Sequence, residues 1–120
     1  MAYISRLLET RVENSLKIHP VLVLTGPRQV GKSTLLENAR FLKKWRYLTL
    51  DDQDVFEQAE KDPKGLLYRN EPTILDEVQR QPSIFLTVKY LVDRSKGKRK
   101  FILSGSGNVS LRSAPGESLA

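Results

Sequence analysis

Two glycines, a lysine and two hydroxyl side chains are grouped near residue 30. Gly26, Gly31, Lys32 and Ser33 follow the spacing G-x-x-x-x-G-K-[ST], directly after the apolar run 21–24. Glycines let the backbone curl until successive N–H groups point at one anion, and the N-terminus of a following helix adds partial positive charge. The pattern therefore predicts a loop that cradles the phosphates of a nucleotide.

The residues of this loop have separate expected roles. Lys32 would reach the β- and γ-phosphates, and the Ser33 hydroxyl would bind Mg²⁺. Apolar residues recur at helical spacing after the loop, which favours a strand–loop–helix unit over a chance match. The predicted nucleotide-binding residues are Gly26, Pro27, Arg28, Gln29, Val30, Gly31, Lys32, Ser33 and Thr34.

A pair of acids closes the apolar stretch that begins at Thr73. Asp76 is predicted to hold Mg²⁺, directly or through water, together with Ser33. Glu77 is predicted to polarise a water molecule for attack on the γ-phosphate. The alternative is an acid pair that only caps a helix or faces solvent. Adjacent carboxylates with separate tasks favour hydrolysis over transfer to a second substrate.

A serine follows another apolar run, 101–103. The Ser104 hydroxyl, with Ser106 as a second candidate, could orient the attacking water or sense the γ-phosphate. An ordinary loop-capping serine is the alternative. The predicted catalytic residues are then Glu77, Lys32 and Ser104. A GTPase would need an N-K-x-D segment, which the sequence lacks, and the D-x-x-G match at 62–65 follows no predicted strand.

Hydrophobic periodicity predicts an α/β fold, a parallel sheet with helices on both faces and ligands at the carboxyl ends of the strands. The predicted helices span 3–17, 32–42, a segment from 52 or 54 to 63, and 83–97. The predicted strands span 21–25, 46–50, 73–77 and 100–104. Residues 64–72 are predicted to form a short helical turn and a loop, and the residues after 104 are predicted to be loop. We divide the chain into an N-terminal amphipathic helix, 1–18, and a nucleotide-binding core, 19–120.

Composition sets limits on the class of protein. The chain has 120 residues, no cysteine and a formal net charge of +6. These features predict a cytoplasmic protein without disulfides, thiolate metal sites or a membrane span. The positive charge permits binding to nucleic acid through the basic clusters 42–46 and 94–100, with Trp45 and Tyr47 for stacking. We favour the alternative, in which these cations lie at helix C-termini on the surface.

Taken together, "GPRQVGKST", "LDEVQ" and "FILSGS" resemble the motifs of AAA-type ATPases, in particular a group of archaeal and bacterial members. The resemblance covers the chain from about Ile4 to its end. It implies that residues 26–34 are the Walker A motif, that 73–77 are the Walker B motif and that Ser104 is the sensor-one residue. It also implies ATP and Mg²⁺ as ligands.

The resemblance further implies a fifth strand, arginines that complete the site and a C-terminal domain beyond this point. We therefore expect strand five to be missing, so that strand one forms an exposed edge prone to self-association. We also expect hydrolysis to be slower than in a longer chain. Two functions stay open: an ATPase that drives an unknown protein partner, and a nucleotide-dependent switch with negligible turnover. A nucleic-acid partner is the third possibility.

Overall fold

The computed structural model describes residues 2–24, 42–105 and 117–118 of the chain, and these form helices and strands in alternation. The helices are α1 (Ala2–Ile18), α2 (Gln53–Lys61), α3 (Pro63–Leu66) and α4 (Ile84–Arg94). The strands are β1 (Val21–Leu24), β2 (Arg46–Thr49), β3 (Thr73–Asp76), β4 (Phe101–Ser104) and β5 (Glu117–Ser118). A short 3₁₀ turn, Val78–Arg80, follows β3. None of the helices described is long and apolar enough to cross a membrane.

The five strands form one sheet in the order β2-β3-β4-β1-β5, and every neighbouring pair is parallel. Strand β1 lies inside the sheet because Leu22 pairs with Ile102 on one side and with Glu117 on the other. The predicted α/β fold with a parallel sheet is confirmed. The helix predicted over 32–42 falls almost entirely outside the described residues.

The expectation of a missing fifth strand is wrong. Residues 117–118 form β5, which pairs with Leu22 and Val23 and occupies the edge that was expected to be open. The loop predicted beyond Ser104 therefore contains a strand. Two polar residues give no apolar pattern, and their pairing depends on backbone groups that every residue carries. Self-association through an uncovered β1 edge loses its basis, since β1 has a neighbour on both sides.

The two faces of the sheet bury separate sets of apolar side chains. Successive residues of a strand point to opposite faces, so each strand contributes to both sets. One face packs on the helices after β2, with a core that includes Val21, Val23, Leu48, Leu75, Leu103, Ile84, Val88 and Val92. The other face packs on α1, with Leu22, Leu24, Ile74, Ile102, Val12 and Leu16. The prediction of helices on both faces is thereby confirmed.

Aspartates start two of the helices. The Asp52 carboxylate accepts hydrogen bonds from the backbone N–H groups of Asp54 (2.9 Å) and Val55 (3.3 Å), so it caps α2. Asp62 caps α3 by accepting from the Gly65 N–H at 3.1 Å. The D-x-x-G match at 62–65 is thus a helix start, as its lack of a preceding strand indicated.

Candidate functional site

The carboxyl ends of β1 to β4 meet at one edge of the sheet, because these strands are parallel. Thr49 pairs with Asp76, and Leu75 pairs with Leu103, so the next residue of β4, Ser104, lies beside Asp76. In open parallel sheets this edge is where ligands bind. The structure therefore brings together the predicted metal-binding acid and the predicted sensor serine.

The carboxylate of Asp76 accepts three hydrogen bonds from the residues that the structure describes. Its Oδ1 accepts from the Ser104 hydroxyl at 2.6 Å and from the Glu77 backbone N–H at 2.9 Å. Its Oδ2 accepts from the Tyr47 hydroxyl at 2.6 Å. The donors come from β4, from the end of β3 and from β2, so the orientation of the half-buried carboxylate is fixed by three neighbouring segments.

The next acid, Glu77, is 7% exposed and has a left-handed backbone, with φ 56° and ψ 43°. That conformation costs a residue with a side chain about 1–2 kcal/mol. Gln79 Nε2 lies 3.4 Å from Glu77 Oε2, a long hydrogen bond. Strained backbone at the end of a strand is concentrated at functional sites. A buried carboxylate in such a position is therefore a good candidate for chemistry.

The hydroxyl of Ser104 donates to Asp76 Oδ1. The residue is fully buried. Its proposed action on a phosphate or on a water molecule stays a prediction. The second candidate, Ser106, lies outside the described residues.

The predicted phosphate loop, residues 26–34 with Lys32 and Ser33, also lies outside the described residues. The structure does describe the strand that leads into it. Leu24 ends β1, and its carbonyl accepts a hydrogen bond from the Gly105 N–H at 3.1 Å. The loop therefore begins next to the end of β4, on the edge that carries Asp76 and Ser104.

Oxygen ligands at this edge suit Mg²⁺. The ion prefers carboxylates, hydroxyls, water and phosphate oxygens, and it usually takes only one or two carboxylates from the protein. Asp76 and its neighbour Ser104 supply such groups. Within residues 2–24, 42–105 and 117–118, no three His, Cys, Asp or Glu side chains lie close enough together to hold a metal ion alone. Asp76 and Ser104 are therefore groups of the kind that fit Mg²⁺.

Tyr47 belongs to this site, although the sequence suggested only a stacking role for it. Alternate residues of a strand share a face. Tyr47 therefore shares a face of β2 with Thr49, which pairs with Asp76. The alternation of β2 places Tyr47 on the face of Thr49, but the register between β2 and β3 is needed to show that Asp76 lies beside them.

Several cations of the basic clusters have structural partners at the opposite edge of the sheet. Arg46 Nη1 donates to the Leu66 carbonyl at 2.7 Å, and Arg99 Nη1 donates to the Leu67 carbonyl at 3.1 Å. Arg99 is buried, and this burial lowers the pKa of its guanidinium. These two carbonyls lie at the end of α3. Arg99 is buried and not on the surface, so the favoured interpretation of surface cations at helix C-termini does not hold for it.

Of the remaining residues in the basic clusters, some have structural contacts and others are exposed. Lys100 Nζ donates to the Leu16 carbonyl near the end of α1, at 2.9 Å. Trp45 packs against the apolar cluster under α1, so its ring is partly committed to the core. Four lysines stay exposed, namely Lys43, Lys44, Lys96 and Lys98. The clusters thus offer surface charge without the pair of stacking aromatics that the sequence suggested.

Comparison with known proteins adds a family and two relatives. Residues 18–120 match the family model described as an AAA domain. Two uncharacterized proteins, from Mycobacterium bovis and Mycobacterium tuberculosis, are each 35% identical to this chain over 113 residues. Each alignment covers 92% of this chain and 25% of the relative. The chain therefore spans about a quarter of the length of the curated relatives that it matches.

Proposed function

Since this chain belongs to the AAA domain family, whose members bind nucleotides, we propose that it binds Mg-ATP and hydrolyses it to change the state of a protein partner. The observation that carries the proposal is the hydrogen bond of 2.6 Å between Ser104 and Asp76, next to buried Glu77. These three side chains lie at the edge of the sheet where β1 enters the predicted phosphate loop. Their types and their order match a site for nucleotide hydrolysis.

Binding is assigned to the loop and to one acid. Residues 26–34 would surround the phosphates with backbone N–H groups, and Lys32 would reach the β- and γ-phosphates. Ser33 and Asp76 are the residues that would hold Mg²⁺. When bound, the ion neutralises negative charge on the phosphate oxygens. Ser104 acts on this arrangement by keeping Asp76 oriented.

Catalysis is assigned to Glu77. A carboxylate that lies within hydrogen-bond distance of the attacking water molecule can accept a proton from that water. Its burial limits competition from bulk water, and the left-handed backbone turns the chain sharply after Asp76. The two adjacent acids therefore have separate tasks, one toward the metal and one toward the water.

A nucleotide-dependent switch with negligible turnover uses the same binding residues. It differs from an ATPase only in the rate of hydrolysis, and buried Glu77 beside Asp76 favours the ATPase. The partner of either activity is a further protein, and exposed lysines at the other edge of the sheet leave a nucleic acid as the alternative partner.

Two substitutions test binding and turnover separately. Lys32→Ala should abolish Mg-ATP binding in a calorimetric titration while the fold is kept, because this lysine is expected to contact phosphate and not the core. Lys44→Ala, at an exposed lysine, is the matched control and should bind as the unmodified chain does. A folded Lys32→Ala chain that retains its affinity would overturn the phosphate-loop assignment.

Glu77→Gln should keep Mg-ATP bound and stop phosphate release, because the amide retains the shape but does not accept the proton. Glu57→Gln, on the exposed side of α2, is the control and should leave the rate unchanged. Asp76→Asn should instead weaken the dependence of binding on Mg²⁺. Identical behaviour of the Asp76 and Glu77 variants would contradict the division of tasks.

A further inference from the structure

We propose that Tyr47 is a positioning residue for the metal-binding carboxylate of Asp76, a role that rests on the function proposed above. The hydroxyl of Tyr47 donates to Asp76 Oδ2 at 2.6 Å. That distance is short among O–H···O hydrogen bonds in general, and it is typical of the stronger bonds that a hydroxyl makes to an ionised carboxylate. Tyr47 thereby acts on the site through Asp76 and not by contact with the nucleotide.

The register of the sheet explains how a residue of β2 reaches the site. Tyr47 stands two residues before Thr49, which pairs with Asp76. Two residues of a strand rise by roughly 6.6 Å along its axis. A phenol side chain spans this rise along the face of the sheet, whereas a shorter side chain at the same position would not. The contact therefore depends on the residue type as well as on the strand.

The Tyr47 hydroxyl adds to the donors that restrain the carboxylate of Asp76. An ionised carboxylate offers about four lone-pair sites. Ser104 and the Glu77 N–H occupy Oδ1, and Tyr47 occupies one site of Oδ2. Because donors reach both oxygens, the plane of the carboxylate is restrained, and the donors within residues 2–24, 42–105 and 117–118 leave one acceptor site of Oδ2 unused. Asp76 can then serve a metal ion, or a water molecule bound to it, as a single ligand of fixed direction.

The two hydroxyls on Asp76 differ in exposure. Ser104 is fully buried, whereas Tyr47 is 49% exposed. Loss of the buried Ser104 hydroxyl is therefore expected to lower stability as well, whereas loss of the half-exposed Tyr47 hydroxyl leaves the ring in place. With Tyr47→Phe, Asp76 keeps both donors on Oδ1 but loses the Tyr47 donor on Oδ2, so the rotation of the carboxylate as a whole is less restricted. The expected consequence is a change in metal dependence, with the fold retained.

The first experiment compares Tyr47→Phe with Tyr90→Phe in the full chain. Tyr90 is a matched control, since it is 41% exposed and its ring lies 4.3 Å from Lys64 Nζ in a contact that phenylalanine preserves. The Mg²⁺ concentration for half-maximal ATP binding is measured by calorimetry, and ATP binding in EDTA is measured beside it. For Tyr47→Phe we expect the Mg²⁺ requirement to rise about 3- to 10-fold. Binding in EDTA should be unchanged, and Tyr90→Phe should match the unmodified chain.

The second experiment asks whether Tyr47 acts through Asp76. In an Asp76→Asn background, Tyr47→Phe should produce no further shift in the Mg²⁺ requirement, whereas a general structural role would produce the same shift in both backgrounds. If Tyr47→Phe shifted the Mg²⁺ requirement equally in both backgrounds, the role of Tyr47 would be overturned. The same would follow if Tyr47→Phe alone caused no shift while the unmodified chain binds Mg-ATP. Either result would leave the proposed function standing. An unmodified chain that binds no Mg-ATP would overturn the proposed function and this role together.

Discussion

Replacement of Ser104 by alanine tests the contact between β4 and the acid of β3. Ser104 is fully buried, and its hydroxyl lies 2.6 Å from Asp76 Oδ1. Alanine removes one oxygen atom and leaves the backbone pairing of β4 intact. The change therefore isolates the hydrogen bond between the two strands more cleanly than any substitution of the acid.

The expected magnitude follows from the charge and burial of the two groups. A hydrogen bond to a charged group contributes about 1.5–3 kcal/mol to stability. Asp76 keeps its bonds from the Glu77 N–H and from Tyr47, so the acid is not left unpaired. We therefore expect Ser104→Ala to lower the free energy of unfolding by about 2 kcal/mol, within that range. With a urea m-value of about 2 kcal/mol/M, the midpoint should fall by roughly 1 M.

Urea denaturation followed by tryptophan fluorescence measures this loss. Trp45 is the one tryptophan of the chain, and it packs against the apolar cluster under α1, so it reports unfolding of the sheet. Ser83→Ala, at an exposed serine before α4, is the control and should move the midpoint little. A midpoint unchanged by Ser104→Ala would refute the reasoning, and so would an equal loss in a chain that already carries Asp76→Ala.

Two further stability predictions use the same assay. Lys96 is exposed and has φ 56°, a conformation that glycine adopts without cost, so Lys96→Gly should raise the free energy of unfolding by about 0.5–1 kcal/mol. Lys98→Gly, at an exposed lysine whose φ is not positive, should lower it instead, and a loss of stability in both variants would contradict the argument. Asp52→Ala removes the cap of α2 and should cost about 1 kcal/mol. Asp51→Ala breaks only an exposed ion pair with Arg80 and should cost less, so equal losses would show that the cap is not the cause.

Short apolar runs predicted most of the sheet. The segments 21–24 and 101–103 are continuous apolar runs that end at candidate site residues, and both are buried strands. Parallel strands that are buried on both faces have nearly continuous apolar sequences, so the position and direction of these two strands could be predicted from their apolar runs. The closeness of Asp76 and Ser104 followed in turn, because both residues end parallel strands.

Other features depend on information that no local pattern carries. Strand β5 consists of Glu117 and Ser118, and its pairing uses backbone groups that are the same for every residue. The bond between Tyr47 and Asp76 requires the register of two strands that lie far apart in sequence. Arg99 is buried. Charged residues are rarely buried without a partner, so this burial could not be inferred from the residue type. The roles of residues 26–34 stay predictions, since they lie outside the described part of the chain.

The position of β1 between β4 and β5 has a consequence for synthesis on the ribosome. Leu22 leaves the ribosome early, yet its partners Ile102 and Glu117 are translated about eighty or more residues later. At roughly 5–20 residues per second, this delay lasts several seconds. Helix α1 is translated before β1, and its residues Val12 and Leu16 belong to the same apolar cluster as Leu22 and Leu24 of β1. Nucleotide-binding geometry should therefore be among the last properties that the nascent chain acquires, because the strand leading into the phosphate loop stays unpaired until β4 arrives.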